Sequence, residues 1–418
     1  MSALARVGVA AVVVAILSLL AGACLAQHRN EDVATFRDGV VLVKFNHNIP
    51  ASRQNAILTD IGAREIRTLG VGVHLVGVKP GRVLGAIQLL KARHEIQYAE
   101  PDYLQELDAA TLPNDTDIGI QWAAQNTGQT VNGFSGTAGA DERTTAAWGI
   151  TTGTNSVVVA TLDTGIQYSH PDLLTNIWNN PGGINGCPAG THGYNVLTNA
   201  CDPMDDDTAF NGHGSHVGGI LGAVTNNAAG VSGVNWTTSI MAVKWVDSGG
   251  GTQGATSDLI TGMDWIIRAK QAGVNVRVVN DSTTWPGTAF SQALSDEIDL
   301  LGANNILFVT AAGNTSQNND TTPRYPCSYN RPNMICVAAT DQNDNLANFS
   351  NYGVTTVQLG APGVNIISTL RSSNYGFING TSMASPQVAG TAALILSLGD
   401  QTVSTLRSMI LNNVDPLT

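Results

Sequence analysis

The sequence predicts an α/β fold in which helices cover both faces of a parallel β-sheet, preceded by a small α+β domain. From residue 156 onward, short and mostly apolar runs alternate with segments of helical periodicity. The apolar runs are expected to form strands at 157–162, 240–246, 274–280, 306–311 and 334–340. Strands that are apolar along their whole length are typical of parallel sheets, because helical crossovers bury both faces.

Helices are expected between several of these strands and after the last one, near 216–224, 257–271, 289–301, 388–398 and 402–411. The small domain occupies residues 36–107. Its hydrophobic pattern predicts strands at 40–45, 71–78 and 96–99, with helices at 52–61 and 82–93. A polar, proline-containing stretch at 105–117 is expected to link the two domains.

The first 26 residues have the pattern of a secretory signal peptide. Arg6 precedes an apolar run that ends at Leu20, and small residues follow as far as Cys24. The run is too short for a confident membrane span, so a cleaved signal and a secreted, extracellular protein are expected. A lipid anchor on Cys24 is the lesser alternative, because Leu20 lies one position too far from the cysteine. No stable membrane association is expected, since no later stretch has 18 consecutive apolar residues.

The negative charge is concentrated in the larger domain. Residues 27–110 carry 10 Lys and Arg against 10 Asp and Glu, whereas residues 111–418 carry 9 against 22. This acidic excess argues against nucleic acid as a partner, because the phosphate backbone would be repelled.

A serine at the start of a helix is the first candidate for chemistry. Ser382 lies in the run Asn-Gly-Thr-Ser-Met-Ala-Ser-Pro at 379–386, directly before the apolar helical segment. Free N–H groups and the helix dipole at such a position favour developing negative charge. A serine hydroxyl nevertheless needs a base and an oxyanion donor before it can act as a nucleophile.

Three other residues supply these requirements at strand ends or helix starts. Asp163 follows the strand at 157–162, His213 lies in a glycine-rich turn that opens a helix, and Asn314 follows the strand at 306–311. In a parallel sheet such positions meet at one edge. Each residue alone has an ordinary structural explanation as a cap, turn or loop residue. Together they predict a nucleophilic serine with a histidine base, an orienting aspartate and an oxyanion amide.

With these motifs, residues 113–418 resemble the subtilisin-like serine proteases (subtilases, peptidase family S8). The order Asp163, His213, Asn314, Ser382 is shared, as are Ser-His-Pro-Asp-Leu at 169–173 and Gly-Ala-Pro-Gly at 360–363. Residues 40–103 are similar to the inhibitory I9-type propeptide of that family.

The resemblance implies a three-layer subtilisin-like fold and a secreted serine endopeptidase made as a self-processing zymogen. It implies a signal peptide at 1–26, a propeptide at 27–110 that acts as an intramolecular inhibitor, and a catalytic domain at 111–418 that is expected to be truncated at its C-terminus. The cut is expected between Gln105 and Thr111. The expected partners are protein or peptide substrates and the propeptide, and the protein is expected to be a monomer. Ser282, Gly313 and Gly251 correspond to substrate-binding positions.

The sequence departs from the family pattern at the substrate cleft. Asn-Asp-Ser-Thr-Thr-Trp-Pro-Gly at 280–287 replaces a run that usually carries glycines, either through inserted threonines or through replacement. Thr315 stands where the family often has Glu. This second difference favours a broad specificity with an apolar residue before the scissile bond (P1).

Other functions fit the motifs less well. Asp163 and Asp247 each lie in an Asp-Thr/Ser-Gly run, as in an aspartic protease, but that fold is mostly antiparallel β. A catalytically degenerate subtilase used as a binding scaffold is a second alternative. The Gly-x-Gly-x-x-Gly run at 249–254 lacks the acidic residue expected about 20 positions later in dinucleotide-binding folds. His213 and His216 have a spacing compatible with metal ligation, but His216 is interpreted as structural.

The resemblance also implies structural Ca²⁺ held by Asp115, Asp172 and Asn227, although ordinary turn chemistry explains the same residues. An acidic cluster is either a second cation site or a solvated loop; it comprises Asp202, Asp205, Asp206 and Asp207. Excluding Cys24, four cysteines permit three pairings. The pairings Cys187–Cys201 and Cys327–Cys336 are favoured, because each closes a short polar loop in an exported protein.

Overall fold

The structure is a computed structural model that describes residues 36–69, 72–103, 112–247 and 254–415. The chain divides into two compact units, Met1–Glu106 and Leu107–Thr418. Each unit has a hydrophobic core of its own.

The N-terminal unit is an antiparallel sheet with two helices. Its strands are β1 (Phe36–Phe45), β2 (Arg64–Thr68), β3 (His74–Gly77) and β4 (Ile96–Tyr103), in the order β2-β3-β1-β4. Its helices are α1 (Ala51–Asp60) and α2 (Val83–Lys91). Val41 and Val43 of β1 pack with Leu90 of α2 in the core. Strand β2 was not among the predicted strands, because each of its residues is exposed and the strand has no apolar run.

The C-terminal unit contains the predicted parallel sheet, which has seven strands. The strands are β7 (Gly153–Asp163), β8 (Gly193–Asn195), β9 (Thr237–Lys244), β10 (Val276–Asp281), β12 (Leu307–Ala311), β14 (Met334–Thr340) and β15 (Leu359–Pro362). Their order is β15-β14-β12-β10-β7-β9-β8, and all the pairs are parallel.

The remaining elements are short strands and the covering helices. The strands are β5 (Thr130–Val131), β6 (Phe134–Ser135), β11 (Trp285–Pro286), β13 (Arg324–Tyr325), β16 (Ile366–Leu370) and β17 (Asn374–Ile378). The helices are α3 (Thr144–Trp148), α4 (His213–Gly222), α5 (Thr256–Gln271), α6 (Gln292–Ala303), α7 (Thr381–Ser397) and α8 (Val403–Leu411).

Successive residues of the central strand β7 belong to opposite sides of the sheet. Val157 and Val159 pack in one cluster with α4, α7 and α8. Val158, Ala160 and Leu162 pack in the other cluster with α5 and α6. Because side chains alternate along a strand, burial on both faces requires the continuous apolar runs seen in the sequence.

Both favoured disulfides are present. Cys187 pairs with Cys201, and Cys327 pairs with Cys336. No helix in the described part of the chain combines the length and the apolar composition needed to cross a membrane.

Candidate functional site

The candidate site begins where β7 ends, at the carboxyl edge of the sheet. Asp163 is the last residue of β7, and its side chain is only 1% exposed. Its Oδ1 accepts the N–H of Thr164 at 2.7 Å and lies 2.8 Å from Nδ1 of His213. The strand therefore delivers a buried carboxylate with its hydrogen-bonding oxygen directed at the imidazole.

Glycines allow the helix carrying His213 to approach this strand end. His213 is the first residue of α4, after Gly212 with φ +104°. A Cβ on Gly214 would lie 2.1 Å from the carbonyl oxygen of Gly165 and 3.1 Å from Oδ1 of Asp163. Only glycine fits in such a space, so this position sets the distance between His213 and Asp163.

The carboxylates around His213 control its charge. Burial alone would lower the pKa of His213, but the charge and the hydrogen bond of Asp163 raise the pKa above its ordinary value. Asp205 and Asp207 add to this increase through their negative charge. Neutral imidazole is the form that accepts a proton, so the raised pKa makes His213 a stronger base. As the pH falls, this neutral form is protonated at a higher pH than in a histidine with the ordinary pKa.

Half of the predicted acidic cluster is part of this site. Asp205 accepts hydrogen bonds from N and Oγ of Ser215 at 2.9 and 2.6 Å, and Asp207 accepts one from the N–H of His213 at 3.0 Å. Burial raises the pKa of Asp205 to about 6. Both carboxylates are buried and fix the first turn of α4, so the interpretation as a solvated loop is wrong for them.

The other two acids of the cluster have different partners. Asp206 pairs with Lys244 at 2.6 Å, and Asp202 accepts the hydroxyl of Tyr168 at 2.8 Å. Within the described ranges, no three His, Cys, Asp or Glu side chains are grouped to hold a metal ion. His216 is buried, and its Nε2 lies 3.0 and 3.1 Å from the carbonyl oxygens of Ile366 and Gly376.

Ser382 is the second residue of α7 and is tied to the end of β10. Its Oγ donates to the carbonyl oxygen of Ser282 at 2.9 Å, and Oγ of Ser282 donates to the carbonyl oxygen of Ser382 at 2.9 Å. Nδ2 of Asn280 donates to Ser282, and Ser385 donates to Oδ1 of Asn280 at 2.6 Å. These bonds hold the first turn of α7 against the sheet.

Asn314 has a fixed orientation in which its amide nitrogen is available. Oδ1 accepts both the N–H and the hydroxyl of Thr381 at 2.9 Å. The hydroxyl of Thr381 in turn accepts the N–H of Gly313 at 3.1 Å. Since the oxygen of Asn314 is occupied, Nδ2 is the group left to donate to a ligand.

One cavity brings the four candidate residues together. Its lining comprises Asp163, Thr164, Phe210, His213, Val246, Ser282, Thr283, Thr284, Asn314, Ile378, Asn379, Ser382 and Met383. Of the expected substrate-binding positions, Ser282 lines this cavity, Gly313 precedes Asn314, and Gly251 lies outside the described residues.

Asp281 is a buried acid next to this site that the sequence analysis did not single out. It is the last residue of β10, and its Oδ1 accepts the N–H and the hydroxyl of Thr283 at 3.1 and 2.6 Å. Burial raises the pKa of Asp281 to about 7, and the charge of Asp163 adds to the increase. The only signal for it in the sequence is a carboxylate directly after a predicted strand.

The residues expected to hold calcium also come together, at a separate place. Oδ2 of Asp115 accepts the N–H of Asn226 and the hydroxyl of Ser232 at 2.8 and 2.6 Å. Asp172 accepts Nδ2 of Asn227 at 2.6 Å. Burial raises the pKa of Asp172 to about 6, and the charge of Asp115 contributes to this shift.

Comparison with known proteins identifies two families along the chain. Residues 154–417 match the subtilase family, and residues 26–102 match the fervidolysin N-terminal prodomain. A thermophilic serine proteinase of Bacillus sp. (strain AK1) is 35% identical over 390 residues, which cover 93% of this chain and 85% of the relative. Thermitase of Thermoactinomyces vulgaris is 37% identical over 272 residues, which cover 65% of this chain and 85% of thermitase.

A solved protease from Pseudoalteromonas arctica PAMC 21717 has a TM-score of 0.59 and 29% identity, and the match covers 73% of this chain and 93% of that chain. The fold and these matches define a serine protease with a parallel α/β sheet. The chain belongs to the subtilase family and carries an N-terminal prodomain. The predicted fold class is confirmed, and the aspartic-protease alternative is excluded because its fold is mostly antiparallel.

The electrostatics of the site lead to a prediction for His213. In a Ser382→Ala background, NMR titration of the imidazole should give a pKa above its ordinary value near 6.5. Asp163→Asn should bring that pKa below the value of the parent, because it removes the charge and leaves the burial. Asp202→Asn removes a charge from the same loop without a contact to His213 and serves as the control. Equal pKa values in the parent and in Asp163→Asn would contradict this account.

Proposed function

We propose that the protein is a secreted serine endopeptidase that acts through Asp163, His213 and Ser382, with Asn314 as an oxyanion donor. The observation that carries this proposal is the single cavity in which the hydrogen-bonded Asp163–His213 pair faces Ser382 and Asn314. The degenerate-scaffold alternative is less favoured, because all four positions and their supporting hydrogen bonds are present.

The chemistry begins with a proton transfer. Oγ of Ser382 attacks the substrate carbonyl carbon and passes its proton to Nε2 of His213, while the carbonyl electron pair moves to oxygen. Nδ2 of Asn314 and the N–H of Ser382 donate to that oxygen. The C–N bond then breaks, His213 protonates the leaving amine, and water repeats the sequence on the acyl-enzyme.

Asp163 positions the histidine in this reaction. By accepting Nδ1–H, it fixes the tautomer in which Nε2 is free to take a proton, and it stabilises the imidazolium that forms. Ser382 donates to Ser282 in the free protein, so its hydroxyl must turn about one side-chain bond to reach His213. Substrate entering the cavity would provide the occasion for that rotation.

Removing the nucleophile gives the first test of the proposal. Ser382→Ala should reduce peptide hydrolysis by on the order of 10⁶-fold, the size known for loss of the serine in subtilisins. Ser404→Ala, on the exposed face of α8, should leave the rate unchanged. The measurement is hydrolysis of a peptide library together with labelling by a serine-directed phosphonylating inhibitor. Undiminished hydrolysis in Ser382→Ala would rule out the proposed triad.

The proposal includes export and maturation. The two disulfides suit an oxidising compartment, and a relative from Xanthomonas campestris, 30% identical over 414 residues, carries the name extracellular protease. The proposed division is a signal peptide at 1–26, a propeptide at 27–110 and a catalytic domain at 111–418. Self-cleavage between Gln105 and Thr111 would be fast, because the linked segment has a high effective concentration.

Maturation is tested by N-terminal sequencing of the secreted products. The unaltered chain should begin within or just after residues 105–111, whereas Ser382→Ala should keep its propeptide. The segment 104–111 lies outside the described residues, so this experiment also locates the cut. If Ser382→Ala is cut at the same rate in a protease-free preparation, maturation is not autocatalytic.

We also propose a structural calcium site at Asp115, Asp172 and Asn227. The residues fit this ion, because two carboxylates and an amide converge on the backbone loop at 225–231. Burial of Asp172 near the charge of Asp115 disfavours its ionised form, which a bound cation would relieve. A half-turn of the Asn227 amide would present its oxygen in place of the nitrogen that now donates to Asp172.

Calcium should raise the unfolding temperature of the mature Ser382→Ala protein by about 5 °C or more at saturating concentration, because the ion binds only the folded state. Asp172→Asn should reduce this gain, while Asp264→Asn, on the exposed side of α5, should preserve it. Thermal unfolding in excess calcium and in chelator measures the difference. Identical midpoints in both conditions would rule out the site.

A further inference from the structure

Arg324 contacts the lining of the candidate active-site cavity through Thr284. It is the first residue of β13, which pairs antiparallel with β11 so that Arg324 is opposite Pro286. Its Nε donates to Oγ1 of Thr284, a residue that lines the cavity, at 3.3 Å. Its Cγ and Nε lie 3.2 Å from the place that a Cβ on Gly313 would occupy. The side chain therefore contacts both the segment that follows β10 and the segment that follows β12, which carry Ser282 and Asn314 respectively.

The guanidinium of Arg324 has no ionic partner within the described part of the chain. Arg331 pairs with Asp299 and Arg277 pairs with Asp400, whereas Arg371 and Arg407 donate to backbone carbonyl oxygens. Asp320, the acid nearest to Arg324 in sequence, accepts from Thr355 and Thr356, and Asp281, the buried acid at the end of β10, accepts from Thr283. Arg324 thus keeps the N–H donors of both terminal nitrogens for another acceptor.

Partial burial strengthens the electrostatic interactions that the Arg324 guanidinium can make. Arg324 is half-buried, and burial lowers its pKa, although an arginine remains charged at any physiological pH. A half-buried charge is screened less by solvent than an exposed one. Residues 111–418 carry 22 acids against 9 bases, so acids that could have paired with Arg324 are abundant.

The proposed chemistry decides which part of a substrate meets Arg324. His213 must face the leaving amine, because it donates the proton to that group. Asn314 donates to the carbonyl oxygen, and the acyl portion extends from that carbonyl away from His213. The acyl portion is placed next to Thr284, which lines the same cavity as Asn314, and next to Gly313, which directly precedes Asn314; both residues contact Arg324. The substrate side chain closest to them is that of P1, the residue whose carbonyl is attacked.

We propose that Arg324 makes this cavity a subsite for an acidic P1 residue, so that the enzyme cleaves after Glu or Asp. The proposal rests on the proposed peptidase function and adds the substrate class. A carboxylate fits the planar guanidinium through two parallel hydrogen bonds, and Thr284 holds Nε in place. The apolar preference expected from Thr315 competes with this assignment. Thr315 itself has partners outside the cavity, since it donates to Asn351.

The test compares peptides that differ only at P1, carrying Glu, Asp, Gln, Leu or Phe. The unaltered enzyme should cleave the Glu peptide about ten-fold or more faster, in kcat/KM, than the Gln peptide, because the guanidinium then hydrogen-bonds to an opposite charge instead of to a neutral amide. Raising the salt concentration should reduce this ratio, since the interaction is electrostatic.

Arginine variants separate the subsite from the catalytic machinery. Arg324→Gln should abolish the preference for Glu over Gln, and Arg324→Glu should reverse the charge preference towards Lys and Arg. Arg331→Gln, which removes an arginine paired elsewhere on the same segment, should retain the preference of the parent. Titration with a phosphonylating inhibitor counts the competent sites, and the ratio between peptides does not depend on how much of a variant folds.

The outcomes distinguish the two levels of the proposal. Cleavage of the series with Leu or Phe favoured over Glu, or an unchanged ratio in Arg324→Gln, would overturn the acidic subsite and leave the peptidase intact. Absence of both cleavage and inhibitor labelling in the unaltered enzyme would overturn the peptidase function and the subsite with it.

Discussion

The candidate site depends on the close approach of α4 to the end of β7. The hydrogen bond between Asp163 and His213 exists because Gly214 has no side chain to separate the helix from the loop at Gly165. A methyl group there would overlap a backbone carbonyl, and the imidazole would move away from its carboxylate. Buried Asp205 and Asp207 then fix the first turn of α4, so the backbone around His213 is set before any substrate binds.

The same edge of the sheet collects groups that would repel one another in isolation. Asp163, Asp205 and Asp281 are all buried, and burial raises the pKa of the last two. The same carboxylates raise the pKa of His213, because they stabilise the positively charged imidazolium. Arg324, next to the lining residue Thr284, has no carboxylate partner among the described residues, so carboxylates lie near His213 and a cation lies near Thr284. We expect this distribution of charge to select the side chain at P1 of the substrate.

The nucleophile and the oxyanion donor are positioned by a second set of contacts. Thr381 holds Asn314 by its oxygen, and the reciprocal bonds between Ser282 and Ser382 join α7 to β10. The site is therefore built from three strand ends and two helix starts, all of which are supported from the core. Such support favours a geometry that changes little when substrate arrives, apart from the rotation of one hydroxyl.

The sequence by itself determined the fold class and the four candidate catalytic residues. Continuous apolar runs allow few structures other than a buried parallel sheet, and strand ends of such a sheet share one edge. The tertiary structure decided what depends on distance between segments far apart in sequence. For Asp281 the sequence shows only a carboxylate directly after a predicted strand, and the burial of Asp205 and the exposed β2 carry no local signal in the chain. The same holds for Arg324, whose neighbours Thr284 and Gly313 are brought to it only by the pairing of β13 with β11 and by the turn after β12. The pKa shifts of the site residues and the proposed P1 preference depend on those distances. A pattern of residue types along the chain does not specify distances.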